Sequence, residues 1–251
     1  MAAPVMLVVG GSGSIGSAIA AEAAASGWAV AVHGRSEASV AACLAQLHER
    51  SQGTDAAGFP ADLRVKQGVK SLVELVGSRF GRIDAVVDCM STGPSGIIGR
   101  FDETIPDAYL ELAEVSLVHV QRLAHAAQPW LKRQGGTLIC FASDAGRFTA
   151  RRQTMIGASR AAIIGFARNL AVDIAEDGIR VHCISPSYVV ESTSITRLEA
   201  AGAPKIESAR KRAGLGLPTP ADIAPLVLFL CGPGAKRITG QVISVNGGLN
   251  A

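Results

Sequence analysis

"VVGGSGSIG", Val8 to Gly16, begins as a β-branched apolar run and breaks into glycines. The run starts at Val5, and after the glycines an alanine-rich stretch continues to about Ala25 before Gly27 stops it. Gly10, Gly11, Gly13 and Gly16 allow a tight turn out of a strand and a close approach of backbone to a ligand. They also allow a helix to pack tightly on the strand it leaves. The helix that follows directs its unpaired N–H groups and positive dipole end at the turn, which is where a phosphate group binds well. A strand, a glycine turn and a helix in this order predict a grip on the pyrophosphate of a dinucleotide. The expected contacts are Gly10, Ser12, Gly13, Ser14, Ile15 and Gly16.

The rest of the chain repeats the alternation. Strands are expected at Trp28–His33, Ala56–Phe59, Ile83–Asp88, Gly136–Phe141, Ile179–Ser185 and Gln241–Val245. Between them, helical patterns run from Glu37 to Gln52 with Ser36 as cap, and from Asp62 to Phe80. Others run from Pro106 to Gln134, from Gln153 to Asp177 and from Ala221 to Leu230. Seven strands separated by helices predict a Rossmann-type α/β fold, a doubly wound parallel sheet covered on both faces, because parallel strands need crossover helices. At 251 residues, with 48% hydrophobic residues and 28 glycines, one domain over 1–251 is expected. Residues 188–216 are polar, irregular and rich in small side chains, the pattern of a variable substrate lid.

A net charge of +3 gives no reason to invoke nucleic acid or membrane. No stretch approaches the length of a membrane span, and the opening residues lack a basic n-region, so a first strand is expected there and not a signal peptide. The five cysteines, Cys43, Cys89, Cys140, Cys183 and Cys231, are widely spaced without a CxxC pair. That usage suits reduced thiols in a cytoplasmic protein and no metal framework.

The end of the second strand bears on which dinucleotide binds. An NAD-selective site usually carries an acid there for the ribose 2′-hydroxyl, and between Gly27 and Ser36 this chain has none. "HGRS" supplies His33, Arg35 and Ser36 instead, and a guanidinium suits a 2′-phosphate. NADP(H) is therefore expected over NAD(H). Asp62, with Leu63, lies after strand three, placed either to receive the adenine amine or to cap the next helix.

Across its length the chain resembles the classical short-chain dehydrogenase/reductase family. "ADL" (Ala61–Leu63), "GIRVHCISPSYV" and "ADIAPLVLFLCGPGAKRITGQVISVNGG" match its adenine-side, strand-six and C-terminal motifs, although the glycine motif is altered at Val9 and Ser14. The resemblance implies an oxidoreductase with an Asn–Ser–Tyr–Lys catalytic set. The serine falls on Ser143 in "CFASDAG", but the tyrosine falls on Ile156, the lysine on Arg160 and the asparagine on Ser116. The family's Asn-Asn-Ala-Gly segment reads "DCMS", Asp88 to Ser91, and its Pro-Gly after strand six reads Pro186–Ser187.

Isoleucine cannot donate a proton, and a positioned general acid is typically worth about 10² to 10⁴ in rate. Arg160 can still bind ribose hydroxyls but is too basic to exchange protons. Two readings follow. One is a divergent NADP(H)-dependent oxidoreductase acting on a carbonyl or enone, with Ser143, Arg160 and Ser116 in the site and Tyr188 or water as donor. The other is a catalytically silent cofactor-binding protein, or the non-catalytic subunit of a hetero-oligomer. Arg147, Arg151 and Arg152 in "GRFTARRQT" would favour an anionic substrate if they faced the cleft. His119 and His125 are expected in a core or an interface, and the resemblance implies a homodimer or homotetramer through the long helices.

Overall fold

In the computed structural model, seven parallel strands lie in the order β3-β2-β1-β4-β5-β6-β7. The described residues are 2–65, 67–90, 93–192, 195–196 and 204–250. The strands are β1 (Val5–Val9), β2 (Ala29–Gly34), β3 (Ala56–Pro60), β4 (Ala85–Asp88), β5 (Thr137–Phe141), β6 (Arg180–Pro186) and β7 (Val242–Val245). The expected sheet is present with the expected strands, each boundary moving by at most a few residues.

The register explains the sequence pattern. β1 pairs on one side with β2, Met6 opposite Val30, and on the other with β4, Met6 opposite Ala85. Buried on both faces, it reads as one unbroken apolar run. Its side chains still alternate. Met6 and Val8 join Ile19, Ala20 and Ala23 of α1 (Ser14–Ala25) and Val227 of α8 (Pro220–Cys231). Leu7 and Val9 face Leu72 of α3 (Gly68–Phe80), Leu123 of α5 (His119–Leu131) and Ile163 of α6 (Thr154–Asp173). α2 (Glu37–Arg50) covers the first face beside β2 and β3, capped by Ser36 as expected, whose Oγ accepts the Ser39 N–H at 3.3 Å.

Three local expectations need correction. α3 begins at Gly68, six residues past Asp62, because Asp62 closes its own turn by accepting the Arg64 N–H at 3.0 Å and so does not cap the helix. The long helix is not uniform: α4 (Tyr109–Ala113) and α5 are joined by a π turn, Glu114–Val118, which holds Ser116. The irregular segment contains a helix, α7 (Pro204–Arg212), and part of that segment lies outside the described residues. All five cysteines are free, and Cys140 and Cys183 stand opposite each other across β5 and β6. Among the described residues no helix is long and apolar enough to cross a membrane.

Candidate functional site

Strand order reverses direction of travel between β1 and β4, where the crevice at the strand ends takes ligands in open α/β sheets. Gly10 turns the chain there with φ of +73°, a conformation costly to any residue with a Cβ. A Cβ at Gly16 would stand 2.4 Å from the Gly10 carbonyl oxygen, so the first turn of α1 packs directly on the loop. No side chain caps α1 at Gly13. The positive dipole end of α1 thus faces the turn without a side-chain cap at Gly13, an arrangement that fits a pyrophosphate.

The platform beside this turn is tied down from β2 and β3. The Ser12 N–H donates to the His33 carbonyl at 3.3 Å, and the Gly10 N–H donates to His33 Nδ1 at 3.1 Å. Arg35 lies exposed just past β2. The Asp62 carboxylate is gripped by Arg64, with Nη2 to Oδ2 at 2.6 Å. That hydrogen bond, helped by the Arg64 N–H and by the charges of Arg64 and Arg35, holds Asp62 down at about 2. Leu63 buries its side chain in the core, and Ser36 is engaged by α2. Pro186 closes β6, buried and opposite Val245.

On the other side of the crevice, Ser143 ends the extended segment after β5, and its Oγ accepts the Ala145 N–H at 3.3 Å. Two glycines dock this loop on α6. A Cβ at Gly146 would lie 2.6 Å from the Ala161 nitrogen, and one at Gly157 2.8 Å from the Ala145 carbonyl oxygen. Ser143 is thereby held against the helical turn that carries Ile156 and Arg160. Arg160 is buried, and among the described residues no acceptor bonds its guanidinium. Burial pulls its basicity down and the Asp88 carboxylate pulls it back. Ser116 is buried in the π turn, donates to the Leu112 carbonyl and receives a hydrogen bond from Ser159 Oγ at 2.7 Å, which ties it to α6 beside Arg160.

A family model described as enoyl-(acyl carrier protein) reductase matches residues 10–250. The chain belongs to the short-chain dehydrogenase/reductase family. It is 32% identical over 249 residues to the short-chain reductase protein NovJ of Streptomyces niveus, covering 97% of this chain and 93% of that one. A tropinone reductase homolog of Arabidopsis thaliana is 30% identical over 251 residues, covering 99% and 92%. Among solved structures it is similar to an NADPH-bound short-chain oxidoreductase from Pseudomonas aeruginosa PAO1 described as containing an atypical catalytic center. That likeness has a TM-score of 0.90 and 26% identity, over 98% of this chain and 96% of the other. An actinorhodin polyketide ketoreductase with NADPH gives 0.88 and 27%, over 98% and 97%.

The family's fold and oxidoreductase character thus agree with the sequence. The remaining candidates are placed as follows. Tyr188 packs against Ala209, Ala213 and Leu249, with no hydrogen bond from its hydroxyl to any described residue. Arg147 donates to Ser244 Oγ at 2.6 Å and stacks on Phe148, while Arg152 pairs with Glu103 at 2.6 Å. Arg147 and Arg152 are thus each engaged by a neighbour, and Arg151 is exposed. Ser91 lies outside the described residues.

His119 is buried as expected, but sequence reasoning did not foresee the contacts that brace the site. Asp144, only 2% exposed, accepts from Ser185 Oγ at 3.2 Å, Ser244 Oγ at 2.5 Å and Asn246 Nδ2 at 2.5 Å. It gathers the ends of β5, β6 and β7 under the Ser143 loop. Asp88 and His119 form a buried pair beneath the crevice, and His33 braces the glycine turn. Nothing in their local sequence distinguishes them, because each acts through partners distant in the chain.

Proposed function

We propose that this chain is an NADP(H)-dependent oxidoreductase acting on a carbonyl or enone, with a proton donor other than a side chain at position 156. The observation that carries the reading is the juxtaposition, across one crevice, of an uncapped glycine turn with Ser143 and the unbonded guanidinium of Arg160. Gly10 to Gly16 and the start of α1 would hold the pyrophosphate, Arg35 the 2′-phosphate, and Asp62 and Pro186 the flanking parts of the cofactor. Arg160 would hold the nicotinamide ribose. The two solved relatives with NADPH support a nicotinamide cofactor.

The bound cofactor would supply or accept the hydride. Ser143 would hydrogen-bond the substrate oxygen, and Arg160 would add positive charge beneath it; preorganised donors at a developing oxyanion are a large catalytic effect. Ser116, through Ser159, would steady the helix that presents Arg160. The proton would come from water or Tyr188, and residues 188–216 would serve as the lid. An enone suits such a site, because its later protonation asks less of the donor than ketone reduction does.

Titration with NADPH and NADH, followed by nicotinamide fluorescence, tests this directly. Preferential NADPH binding, weakened by Arg35→Ala, supports the reading, as does reduction of a carbonyl or enone panel that Ser143→Ala abolishes. Absence of binding to either nucleotide overturns it. The second reading, a silent cofactor-binding subunit, is favoured by the joint departures at Val9, Ser14, Asp88–Ser91, Ser116, Ile156 and Arg160. It predicts NADPH binding with no turnover in the native protein and assembly unchanged by Ser143→Ala.

A further inference from the structure

Directly beneath the glycine turn lies an imidazole that the proposed chemistry does not use. His33, 3% exposed at the end of β2, touches two backbones. Its Nδ1 accepts the Gly10 N–H at 3.1 Å, and its Nε2 faces the Ala61 carbonyl oxygen at 3.1 Å. A nitrogen that accepts carries no proton, and a nitrogen facing a carbonyl must carry one. The two contacts together define a neutral ring with its proton on Nε2.

Both partners are elements of the nucleotide platform. Gly10 is the positive-φ residue at which the turn reverses, and Ala61 immediately precedes Asp62 and Leu63. Across the turn, a Cβ at Gly10 would lie 3.2 Å from the Cys89 carbonyl carbon and 3.3 Å from the Met90 nitrogen, so the loop is backed on that side by the end of β4. A second proton, on Nδ1, would set N–H against N–H at Gly10. The ring or the turn would then have to move, and the turn has packed backbone behind it.

We propose that His33 is a cofactor-positioning residue, and that the glycine turn accepts the dinucleotide pyrophosphate only while this imidazole is uncharged. The inference rests on the nucleotide-binding reading above. The titratable groups facing His33 from other elements are Asp88 at the end of β4 and His119 on α5. Burial opposes protonation of His33 most strongly, the Ala61 bond favours it, and the charges of His119 and Asp88 act in opposite senses. The net effect keeps the ring neutral below its ordinary value of 6.5.

Calorimetric titration with NADP⁺ between about pH 5 and pH 8 tests the proposal. His33→Asn places an amide oxygen where Nδ1 stood and cannot titrate in this range. Native protein should bind well at pH 8 and lose affinity on acidification. The loss should reach about tenfold per pH unit below the folded-state value, as the competent fraction falls. The Asn variant, which gives up the contact to the Ala61 carbonyl, should bind more weakly than native at pH 8 and lose much less on acidification. The ligand's own 2′-phosphate titrates equally in both, so the difference between the two profiles isolates His33. Coincident profiles overturn the proposal, whereas no binding at pH 8 by the native protein overturns the nucleotide-binding reading itself. Should the variant fail to fold, ¹⁵N spectra of the native histidines decide. A ring protonated on Nε2 alone at neutral pH, whose titration moves the Gly10 amide in step with affinity, supports the proposal. A ring protonated on Nδ1 at neutral pH overturns it.

Discussion

Nε2 of His119 lies 3.3 Å from Oδ1 of Asp88, with the two side chains only 4% and 3% exposed. The carboxylate accepts from the ring and from the Met90 N–H at 3.2 Å, while His119 Nδ1 is buried without a partner among the described residues. The pair joins α5 to the end of β4 below the crevice, within electrostatic reach of Arg160 on one side and His33 on the other. His33 and His119 respond to this carboxylate differently. Burial works against a charge on both, but at His119 the attraction of Asp88 and the direct hydrogen bond together prevail and the shift is upward. At His33 burial prevails and the shift is downward.

The signs give opposite pH limbs to stability. A raised His119 means that folding favours the proton. Its contribution is complete below the ordinary 6.5 and is lost as pH rises through the folded value. A lowered His33 contributes fully above 6.5, and that contribution is lost as pH falls through its folded value. Urea unfolding of His119→Gln across this range should show a flatter alkaline limb than the native protein, with the acid limb kept. Asp88→Ala should destabilise on the order of 2 to 3 kcal/mol by stranding buried donors. An unchanged alkaline limb in His119→Gln would show that folding does not favour the proton on His119.

Two glycine substitutions should separate binding from turnover. Gly16→Ala brings a methyl to 2.4 Å from the Gly10 carbonyl, so the phosphate turn must open and NADPH binding should be lost. Gly157→Ala brings one to 2.8 Å from the Ala145 carbonyl, on the far side of the crevice. Overpacking of this kind costs about 1 to 3 kcal/mol, and displacement of the Ser143 loop from α6 should reduce turnover about 10²-fold. Fluorescence titration should find the nucleotide affinity of Gly157→Ala nearly native. A parallel loss of affinity and turnover in both variants would mean that the crevice behaves as one unit.

Asp144 makes a third case. Its replacement by Asn keeps the shape but turns one acceptor oxygen into an NH₂, while Ser185, Ser244 and Asn246 all donate toward it. At least one buried donor must lose its acceptor, at a cost of about 1 to 3 kcal/mol. Thermal unfolding should show a clear fall in Tm for Asp144→Asn. A smaller fall is expected for Ser244→Ala, which leaves Ser185 and Asn246 paired with Asp144 and releases the exposed Arg147 guanidinium to solvent.

Legibility in the sequence tracked the range of the interactions. The strand pattern, Ser36 as a cap and the glycine turn depend on neighbours within a few residues, and each appears as read. Asp62 was ambiguous because a carboxylate before a helical pattern can cap the helix or close its own turn, and Arg64, two residues on, decided for the turn. The π turn at Ser116 reflects packing against α6 through Ser159, a contact 43 residues away. His33 reads as part of the "HGRS" end of a second strand, Asp88 as the family's asparagine position and His119 as a core or interface position. Only the sheet order β2-β1-β4 brings the three together.

The missing phenol can be put back. Ile156 is partly buried on the first turn of α6, one helical turn before Arg160, and Gly157 beside it is the point at which the Ser143 loop docks. A tyrosine at 156 would stand on α6 one helical turn before the Arg160 guanidinium, whose charge would favour the phenolate. A general acid in that position is worth about 10² to 10⁴. Under the oxidoreductase reading, Ile156→Tyr should therefore raise the rate with a simple ketone substantially and the rate with an enone less, at unchanged NADPH affinity. Steady-state kinetics of native and variant on matched ketone and enone substrates decide it. A native enzyme that already reduces ketones efficiently, and gains nothing from the new phenol, would show that another group in the crevice delivers the proton.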